Sequence, residues 1–409
     1  MIASILAIWG RCTPPQRAIQ HVKAAYTTAD ILVFGYGAFA YTHEGGDPWT
    51  LLLVALVLAL GIAAGYSGGG LMCRSIGLTT VRSVLVAGFA AILVAPLPFA
   101  VLPPRSAALM FGAFMGLGHG LFYLGYFAWM LRHSHDRDRD ALVALSSTQG
   151  QAIQIVVPGG LAALVSLLAV WGHPAGPALA IAMVAASVWG ISRSLGLGDD
   201  LIPPASPSRV LAAFRDRRSL PLICWAALLR VTMAEDSVLV PLLGATVVGT
   251  VSAYGWMLTF GIWLGLAVSC HWTMVASHAG RHRAMTIAAV AMTLTAWAIP
   301  AAQPLGIVAF VVALGARNAV KPFWGSVTTT LEMQMAGDGN DLTIMVIRDT
   351  AVGIGRILFL GMLAGIAAIT GDIMTTVVFG FAVLGCCHVL VGIITPMVFQ
   401  PKQLGSAVS

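Results

Sequence analysis

Residues 373–398 read IMTTVVFGFAVLGCCHVLVGIITPMV, a run of 26 residues without a single Lys, Arg, Asp or Glu. About 20 mainly apolar residues in a helix cross the roughly 30 Å of hydrocarbon in a bilayer. The run therefore predicts a membrane-spanning helix, and eleven further windows of the same kind precede it. The twelve predicted spans are 22–42, 50–71, 80–102, 106–131, 141–170, 175–194, 219–243, 250–273, 284–302, 305–333, 342–370 and 373–398.

The composition of the whole chain agrees with these windows. Hydrophobic residues make up 58% of the 409 residues, charged residues only 9%, and the mean hydropathy is +0.88. A soluble protein has about 25% charged residues, because a folded surface needs charge to stay in solution. Soluble enzymes, nucleic-acid-binding proteins and disordered scaffolds are excluded, and the chain is predicted to be an all-α integral membrane protein.

The distribution of cations predicts the orientation. Cytoplasmic loops of membrane proteins carry an excess of Lys and Arg. Sixteen cations lie in the N-terminal segment, the even-numbered loops and the C-terminal tail, and one, Arg105, lies in an odd-numbered loop. Both termini are therefore predicted to be cytoplasmic, although the loop with Asp338 and Asp341 carries no cation. The sixteen are Arg11, Arg17, Lys23, Arg74, Arg82, Arg132, Arg137, Arg139, Arg193, Arg209, Arg215, Arg217, Arg218, Arg281, Arg283 and Lys402.

A long basic and proline-containing segment divides the chain into two sets of six spans. We predict a six-span half at 1–194, a cytoplasmic linker at 195–218 and a second six-span half at 219–409. The basic turns after spans 2 and 8 contain Gly77 and Gly280, which are 203 residues apart. A repeat of this length is typical of secondary transporters, whose binding sites lie between the repeats near the bilayer midplane.

Two basic turns also carry a family resemblance. The first reads Gly69-Gly-Leu-Met-Cys-Arg-Ser-Ile-Gly77, and the second reads Ser277-His-Ala-Gly-Arg-His-Arg283. They resemble the turn G-x-L-x-D-R-x-G-R-R of the major facilitator superfamily, with Cys73 and Ser277 at the aspartate positions. The resemblance implies twelve helices in two six-helix pseudo-repeats that work by alternating access.

A nine-residue stretch in span 11 is a closer match. Arg348-Asp-Thr-Ala-Val-Gly-Ile-Gly-Arg356 resembles the R-E-x-x-L-N-L-G-R element of a bacterial branch of that superfamily, with aspartate in place of glutamate. This resemblance implies a transporter of the bacterial inner membrane and names no substrate. Pro158-Gly159-Gly160 in span 5 is similar to part of an antiporter signature, which favours export, whereas a positive interior equally suits uptake of an organic anion.

Nine charged residues fall inside the predicted spans. A charge at the bilayer centre costs about 2.5–3.5 kcal/mol even on the lenient insertion scale, so these side chains must face an interior cavity or pair between helices. We predict that four of the five cations bind the substrate. The fifth cation, the carboxylates and one intramembrane histidine are predicted to serve in proton coupling or gating. The predicted substrate-binding residues are Arg230, Arg317, Lys321 and Arg356; the predicted coupling or gating residues are Asp30, Glu235, Asp236, Asp349, Arg348 and His119.

Spacing sharpens part of this prediction. Arg317 and Lys321 share one helix face at i and i+4 and repel each other, so an anion is expected between or opposite them. Asp349 and Arg356 are two turns apart on one face, and their partners are expected on other helices. The eight charges of the second half sum to +2, which favours an anionic or zwitterionic solute.

Each of these residues has a plainer alternative. Arg348 is close enough to the cytoplasmic end of its span to extend into the interface. Together with Asp349 and Arg356 it could instead form a helix-docking network. Glu235 and Asp236 could cap an external gate. Asp30 could be a polar packing residue, and His119, in a glycine-rich stretch, could be a satisfied buried histidine.

The leading hypothesis is a proton-coupled secondary transporter of a small organic solute, acting as a monomer in the bilayer. A lipid or lipid-linked precursor flippase or a multidrug-type exporter on the same fold is the alternative, and a non-transporting receptor is a third. The chain has no Walker A loop and no HExxH or GxSxG motif, so we predict no enzyme activity, cofactor or metal. The six cysteines lack metal-ligand spacing, and Met1–Gly10 does not predict a cleaved signal peptide; a leader from a misassigned start codon is the other interpretation of that run.

Overall fold

The protein is helical throughout the part that the structure, a computed structural model, describes: residues 9–10, 12–33, 38, 41, 47–73, 75–134, 136–170, 175–231, 235–263, 281–335 and 342–399. An isolated bridge between Thr80 and Leu201 is the β-type pairing in these ranges. The helices are α1 Pro14–Asp30, α2 Pro48–Met72, α3 Val81–Val101, α4 Pro104–His133, α5 Asp136–Val170, α6 Ala175–Leu195, α7 Pro207–Arg215, α8 Leu220–Leu229, α9 Val240–Val247, α10 Val251–Trp263, α11 Arg281–Ala302, α12 Ile307–Met335, α13 Thr343–Thr370 and α14 Ile373–Val398.

Eight of these helices contain stretches long and apolar enough to cross a bilayer, which confirms predicted spans 2–5 and 9–12 and makes this a multi-pass membrane protein. The prediction was most accurate where apolar runs are uninterrupted, because such runs are set by local composition. The spanning stretches are Pro48–Met72, Val81–Val101, Pro104–His133, Thr148–Leu167, Arg283–Leu305, Ile307–Thr329, Thr343–Thr370 and Ile373–Val398.

Of the other four predicted spans, span 6 is the continuous helix α6, whose apolar part Leu179–Leu195 is shorter than the stretches above. Spans 1, 7 and 8 differ from simple helices. Helix α1 begins at Pro14, eight residues before the predicted start, so Lys23 lies within a helix rather than in the N-terminal segment. Predicted span 7 is interrupted at Arg230, and a π-helical turn at Glu235–Leu239 precedes α9. Helices α9 and α10 meet at 116°. Residues 34–37, 39–40 and 42 of span 1 and 264–273 of span 8 lie outside the described residues.

Local sequence explains where several helices begin and end. Thr13 and Gln16 form a reciprocal capping box at the start of α1, followed by Pro14 at the first helical position. The Asp372 carboxylate accepts hydrogen bonds from the backbone of Met374 (2.9 Å) and Thr375 (3.1 Å) and so caps α14. These donors, with the Thr375 hydroxyl, lower the pKa of Asp372 below its ordinary value.

The predicted linker contains a helix and is bound to its surroundings. Ser206 caps α7, and its backbone amide donates to the Thr343 hydroxyl (2.9 Å) at the start of α13. Val210 packs against Val346 and Ile347 of α13. Upstream, the carboxylate of Asp200 accepts from the ring of His133 at 2.7 Å. Proline-rich composition predicted a break here, and the turn that follows the prolines is helical because Pro207 occupies a first-turn position.

Glycines allow α2 and α4 to approach each other closely. A β-carbon on Gly61 would lie 2.9 Å from the Ala113 carbonyl oxygen, and one on Gly116 would overlap the Leu58 carbonyl. Gly65 and Gly120 repeat the arrangement one turn further along. Small residues let membrane helices gain van der Waals contact where no hydrophobic driving force acts between them. Helix α2 therefore lies against α4 by backbone contact.

We expect Gly116→Ala to lower the free energy of unfolding by about 1–3 kcal/mol, because the added methyl group meets backbone that cannot yield. The matched control is Gly150→Ala in α5, where a β-carbon meets nothing within 4 Å. That control should leave stability unchanged or raise it, since alanine favours a helix. Thermal unfolding in detergent measures both, and equal effects would contradict the close approach.

Candidate functional site

The most deeply buried charges form a triad of one carboxylate and two cations. Glu235, in the π-helical turn before α9, and Arg317 of α12 are both fully buried. The Arg317 Nε donates to both carboxylate oxygens of Glu235, at 2.9 and 3.1 Å, and its Nη2 donates to one of them. The Lys321 ammonium lies 3.0 Å from the other oxygen. Two cations on one helix face thus share one carboxylate.

This triad supplies the anion that the spacing of Arg317 and Lys321 predicted. The anion is the chain's own Glu235, which is fully buried. Arg317 also donates to the Met292 carbonyl and, at 3.3 Å, to the Thr295 hydroxyl of α11. All three of its nitrogens therefore donate within the protein, which uses most of the five N–H donors of Arg317 in this conformation. Lys321 keeps 22% of its side chain exposed.

A second cluster is centred on Glu332 near the end of α12. The Arg230 Nη2 donates to Glu332 Oε2 at 3.0 Å, and the Arg348 Nη1 lies 3.0 Å from the same oxygen. Arg348 also pairs with its neighbour Asp349 at 2.6 Å. Glu332 is fully buried and Arg348 is 3% exposed. Arg348 is therefore an internal ion-pairing residue and does not extend into the membrane interface.

Glu332 was not predicted as a site residue, because it fell at the end of predicted span 10 and was not counted among the intramembrane charges. Its spacing held a signal: Glu332 follows Lys321 by eleven residues, about three helical turns, and so lies on the same face. With Glu332 included, the second half has five intramembrane cations and four carboxylates. The formal surplus predicted there falls from two positive charges to one.

The Glu332 cluster contacts the N-terminal helices. The Arg348 guanidinium lies 4.8 Å from the ring centre of Phe127 in α4 and 5.8 Å from that of Tyr66 in α2. The Thr350 hydroxyl donates to Ser67 of α2 at 3.0 Å. These contacts support the helix-docking interpretation for Arg348. Asp349 was expected to pair with a residue of another helix. Its ion pair is instead with Arg348, the preceding residue of the same helix.

A third group joins α1 to α4. The Tyr26 hydroxyl donates to Asp30 Oδ1 at 3.2 Å and is hydrogen-bonded to the His119 ring. The ring Nδ1 of His119 lies 3.4 Å from the same carboxylate oxygen. Two residues predicted separately as coupling residues, Asp30 and His119, are thus brought together by a tyrosine that was not predicted. The Asp30 side chain is 35% exposed, whereas His119 is buried.

Arg356 of α13 faces this third group from the C-terminal side. Its Nε donates to the Arg230 carbonyl oxygen at 3.3 Å, at the interruption after α8. It lies within electrostatic range of Tyr26, His119 and Tyr123, and Arg230 lies within range of Tyr123. We call this set the central polar cluster: Lys23, Tyr26, Asp30, His119 and Tyr123 on one side, and Arg230 and Arg356 on the other.

Five members of the central polar cluster are partly exposed although their helices are packed on their other faces. They therefore border accessible space between the N-terminal and C-terminal helices. In the described part of the chain Arg356 has no carboxylate within 4.0 Å, and its hydrogen bond to the Arg230 carbonyl uses Nε alone. The planar fork of a guanidinium binds a carboxylate or phosphate through two parallel hydrogen bonds.

Some predicted features cannot be compared with the structure. The side chain of Asp236, residues 277–280 of the second basic turn, and Asp338 and Asp341 lie outside the described residues. Within the described ranges, no group of three His, Cys, Asp or Glu side chains is placed to hold a metal ion, and Cys224, Cys386 and Cys387 are free thiols.

An apolar cavity of about 790 Å³ lies between α11 and α12, and its lining includes Thr295, which accepts a hydrogen bond from Arg317. Its lining includes Val290, Leu294, Val312 and Ala316 and contains no charged side chain. An anion would gain no ionic contact there, so this cavity does not match the predicted solute.

Comparison with known proteins rests on structure. No protein-family model matches the chain, and no curated protein matches it in sequence. A D-xylose-proton symporter is similar with a TM-score of 0.68 at 12% identity, over 92% of this chain and 96% of that one. Two structures of a POT family transporter, bound to a thioalcohol-conjugated peptide and to 5-aminolevulinic acid, each give a TM-score of 0.61 at 14% and 13% identity, over 94% of both chains.

The chain shares the fold of these solved transporter structures. At this level of identity the similarity shows the fold alone. It agrees with the resemblance of the basic turns, and it covers 92–94% of the chain rather than the nine residues of the span 11 element. The site residues of this chain follow from its own geometry.

Proposed function

We propose that this protein is a secondary active transporter that moves a small organic anion or zwitterion by alternating access, driven by protons. The observation that carries the proposal is Arg356, whose fork has no carboxylate partner among the described residues and faces accessible space between the two sets of helices. The transporter fold supports it, as does the fact that one similar structure is a proton symporter.

The proposed solute site consists of Arg356 and Arg230. Arg230 is 31% exposed and shares Glu332 with Arg348, so a solute carboxylate can approach Arg230 without leaving Glu332 unpaired. Arg317 and Lys321, also predicted as substrate ligands, are assigned a different role. Their charges are directed at Glu235, and we propose that this triad stabilises the turn between α8 and α9.

The proposed coupling site consists of Asp30, Tyr26 and His119. Asp30 combines partial exposure with hydrogen-bonding partners that can pass a proton on. Protonation of Asp30 removes a negative charge beside the space that Arg356 faces. The proton therefore changes the electrostatic attraction for an anionic solute, which is the requirement for coupling the two.

The remaining predictions belong to the same proposal. Twelve spans form two six-helix halves, 1–194 and 219–409, on either side of the linker 195–218. Both termini are cytoplasmic, since the excess of loop cations remains fifteen to one after Lys23 is assigned to α1. The protein is a monomer of the bacterial inner membrane, and its partners are the solute, protons and lipid.

Transport in proteoliposomes tests the coupling. We expect uptake of an anionic solute to respond to an imposed pH gradient in the native protein. Asp30→Asn should reduce solute accumulation driven by the pH gradient tenfold or more, because the amide cannot carry the proton. Solute exchange without a gradient should continue at the native rate. Asp372→Asn, the same change at an exposed helix cap, is the matched control. Native transport that ignores the gradient contradicts the coupling.

The flippase and multidrug-exporter alternative makes a different prediction in the same vesicles. A flippase needs a headgroup site continuous with an apolar one, whereas the apolar cavity between α11 and α12 has no charged lining. Movement of a fluorescent lipid between leaflets, without uptake of any soluble anion, would favour that alternative over the solute transporter.

A further inference from the structure

Lys23 of α1 has an unusual environment for a residue first counted as a loop cation. It lies about 13 Å along the helix from Pro14. Its ammonium is 4.6 Å from the ring centre of Tyr123 and 4.8 Å from that of Tyr26, and it donates a hydrogen bond of 3.1 Å to the Tyr123 hydroxyl. Phe122 and Tyr126 add ring contacts at 5.4 Å. The ammonium is therefore surrounded by aromatic faces.

Among the described residues, no carboxylate lies within ion-pairing distance of Lys23 or of Arg356. An ammonium has three donors, and one of them is engaged with Tyr123. Aromatic contacts offset part of the cost of removing the charge from water, but an anion offsets more. Both cations thus retain donors for a counter-ion that the described residues do not supply within ion-pairing distance.

The two cations come from opposite sides of the same space. Lys23 contacts Tyr26 and Tyr123, and Arg356 lies within electrostatic range of both tyrosines. His119 lies within range of Lys23 and of Arg356. A solute between the N-terminal and C-terminal helices would therefore meet one cation on each side.

We propose that Lys23 and Arg356 bind the two negative charges of one small dianion, a dicarboxylate or a phosphate monoester. This rests on the proposed transporter function and narrows its solute class. The aromatic faces, which are the best receptors for a solute's amino group, are already occupied by the Lys23 ammonium. A zwitterion would bring a third cation to a place that already holds Lys23 and Arg356, whereas a dianion neutralises both.

The test measures binding without requiring transport. The full-length protein in detergent is heated with four probes: succinate, butyrate, glycerol 3-phosphate and glycerol. A bound ligand raises the unfolding temperature by mass action. We expect at least one dianion to stabilise the protein at concentrations about tenfold or more below those its less charged counterpart requires, since it makes one additional charged contact. Succinate and glycerol 3-phosphate distinguish the two chemical sources.

Variants of Lys23 connect the preference to this residue. Lys23→Met should weaken the binding of the preferred dianion about tenfold or more and that of butyrate less than about twofold. Lys23→Arg keeps the charge and should retain the preference for dianions. Tyr123→Phe keeps the ring but removes the hydroxyl that positions the ammonium, and it should give an intermediate loss. Arg105→Gln, at the exposed first turn of α4, is the control.

Equal stabilisation by each dianion and its counterpart overturns the proposal. A preference that survives unchanged in Lys23→Met overturns it as well, and the Lys23→Arg and Tyr123→Phe variants decide the matter if Lys23→Met does not fold. The transporter proposal fails separately: dianion binding that depends on Lys23, with no uptake of labelled succinate or glycerol 3-phosphate into proteoliposomes, leaves a binding protein without transport.

Discussion

Glu235→Gln is expected to lower the free energy of unfolding by about 3–5 kcal/mol, the largest stability effect of any single change proposed for this protein. The amide keeps the shape of the side chain but removes its charge. Arg317, fully buried, and Lys321 would then face each other across one helical turn with no carboxylate between them. Removing one member of a buried ion pair leaves an uncompensated charge, which costs more than the intact pair contributes.

Thermal unfolding in detergent and yield of folded protein measure this effect. Asp199→Asn is the matched control, because Asp199 pairs with Arg82 at the surface, where it is 60% exposed. An exposed pair contributes about 0–1 kcal/mol. The triple change of Glu235→Gln, Arg317→Gln and Lys321→Met should recover part of the stability by removing all three charges. A Glu235→Gln variant as stable as Asp199→Asn would contradict the structural role of the triad.

Arg356→Gln is expected to have the largest effect on solute binding. If the guanidinium fork holds a solute anion, its loss removes charged hydrogen bonds of about 1.5–3 kcal/mol, which weakens affinity roughly 10- to 150-fold. Arg356→Lys keeps the charge without the planar fork, so its solute affinity should lie between those of the native protein and Arg356→Gln. Stability should change little, because Arg356 makes no described ion pair and one hydrogen bond to a backbone carbonyl.

Solute-induced thermal stabilisation and uptake into proteoliposomes both report this loss, and Arg105→Gln, at the exposed start of α4, serves again as the control. The two large effects should separate cleanly, because Glu235→Gln acts on folding and Arg356→Gln acts on binding. Undiminished solute affinity in a well-folded Arg356→Gln protein would remove Arg356 from the site. A collapse of stability in that variant would instead favour the helix-docking interpretation of span 11.

Features that depend on local sequence were predicted accurately, whereas features that depend on contacts between distant residues were not. Span 12 and seven others were predicted closely, because the transfer of an apolar run into lipid depends on its own composition. The interruption at Arg230 and the early start of α1 at Pro14 were not, because a polar site inside a span depends on which neighbours satisfy it. The partner of Arg317 and Lys321 was predicted as an anion but could not be identified.

By itself, then, the sequence determined that this chain is a membrane protein and which stretches are apolar enough to span the bilayer. It also determined that charged side chains within those stretches must form ion pairs or face a cavity. Only the tertiary structure decided which partners they find. Arg317 meets Glu235 from 82 residues away and Lys23 meets Tyr123 from 100 away. Such pairings follow from the arrangement of whole helices, which the spacing within any one helix does not encode. The same arrangement leaves Lys23 and Arg356 without carboxylate partners among the described residues.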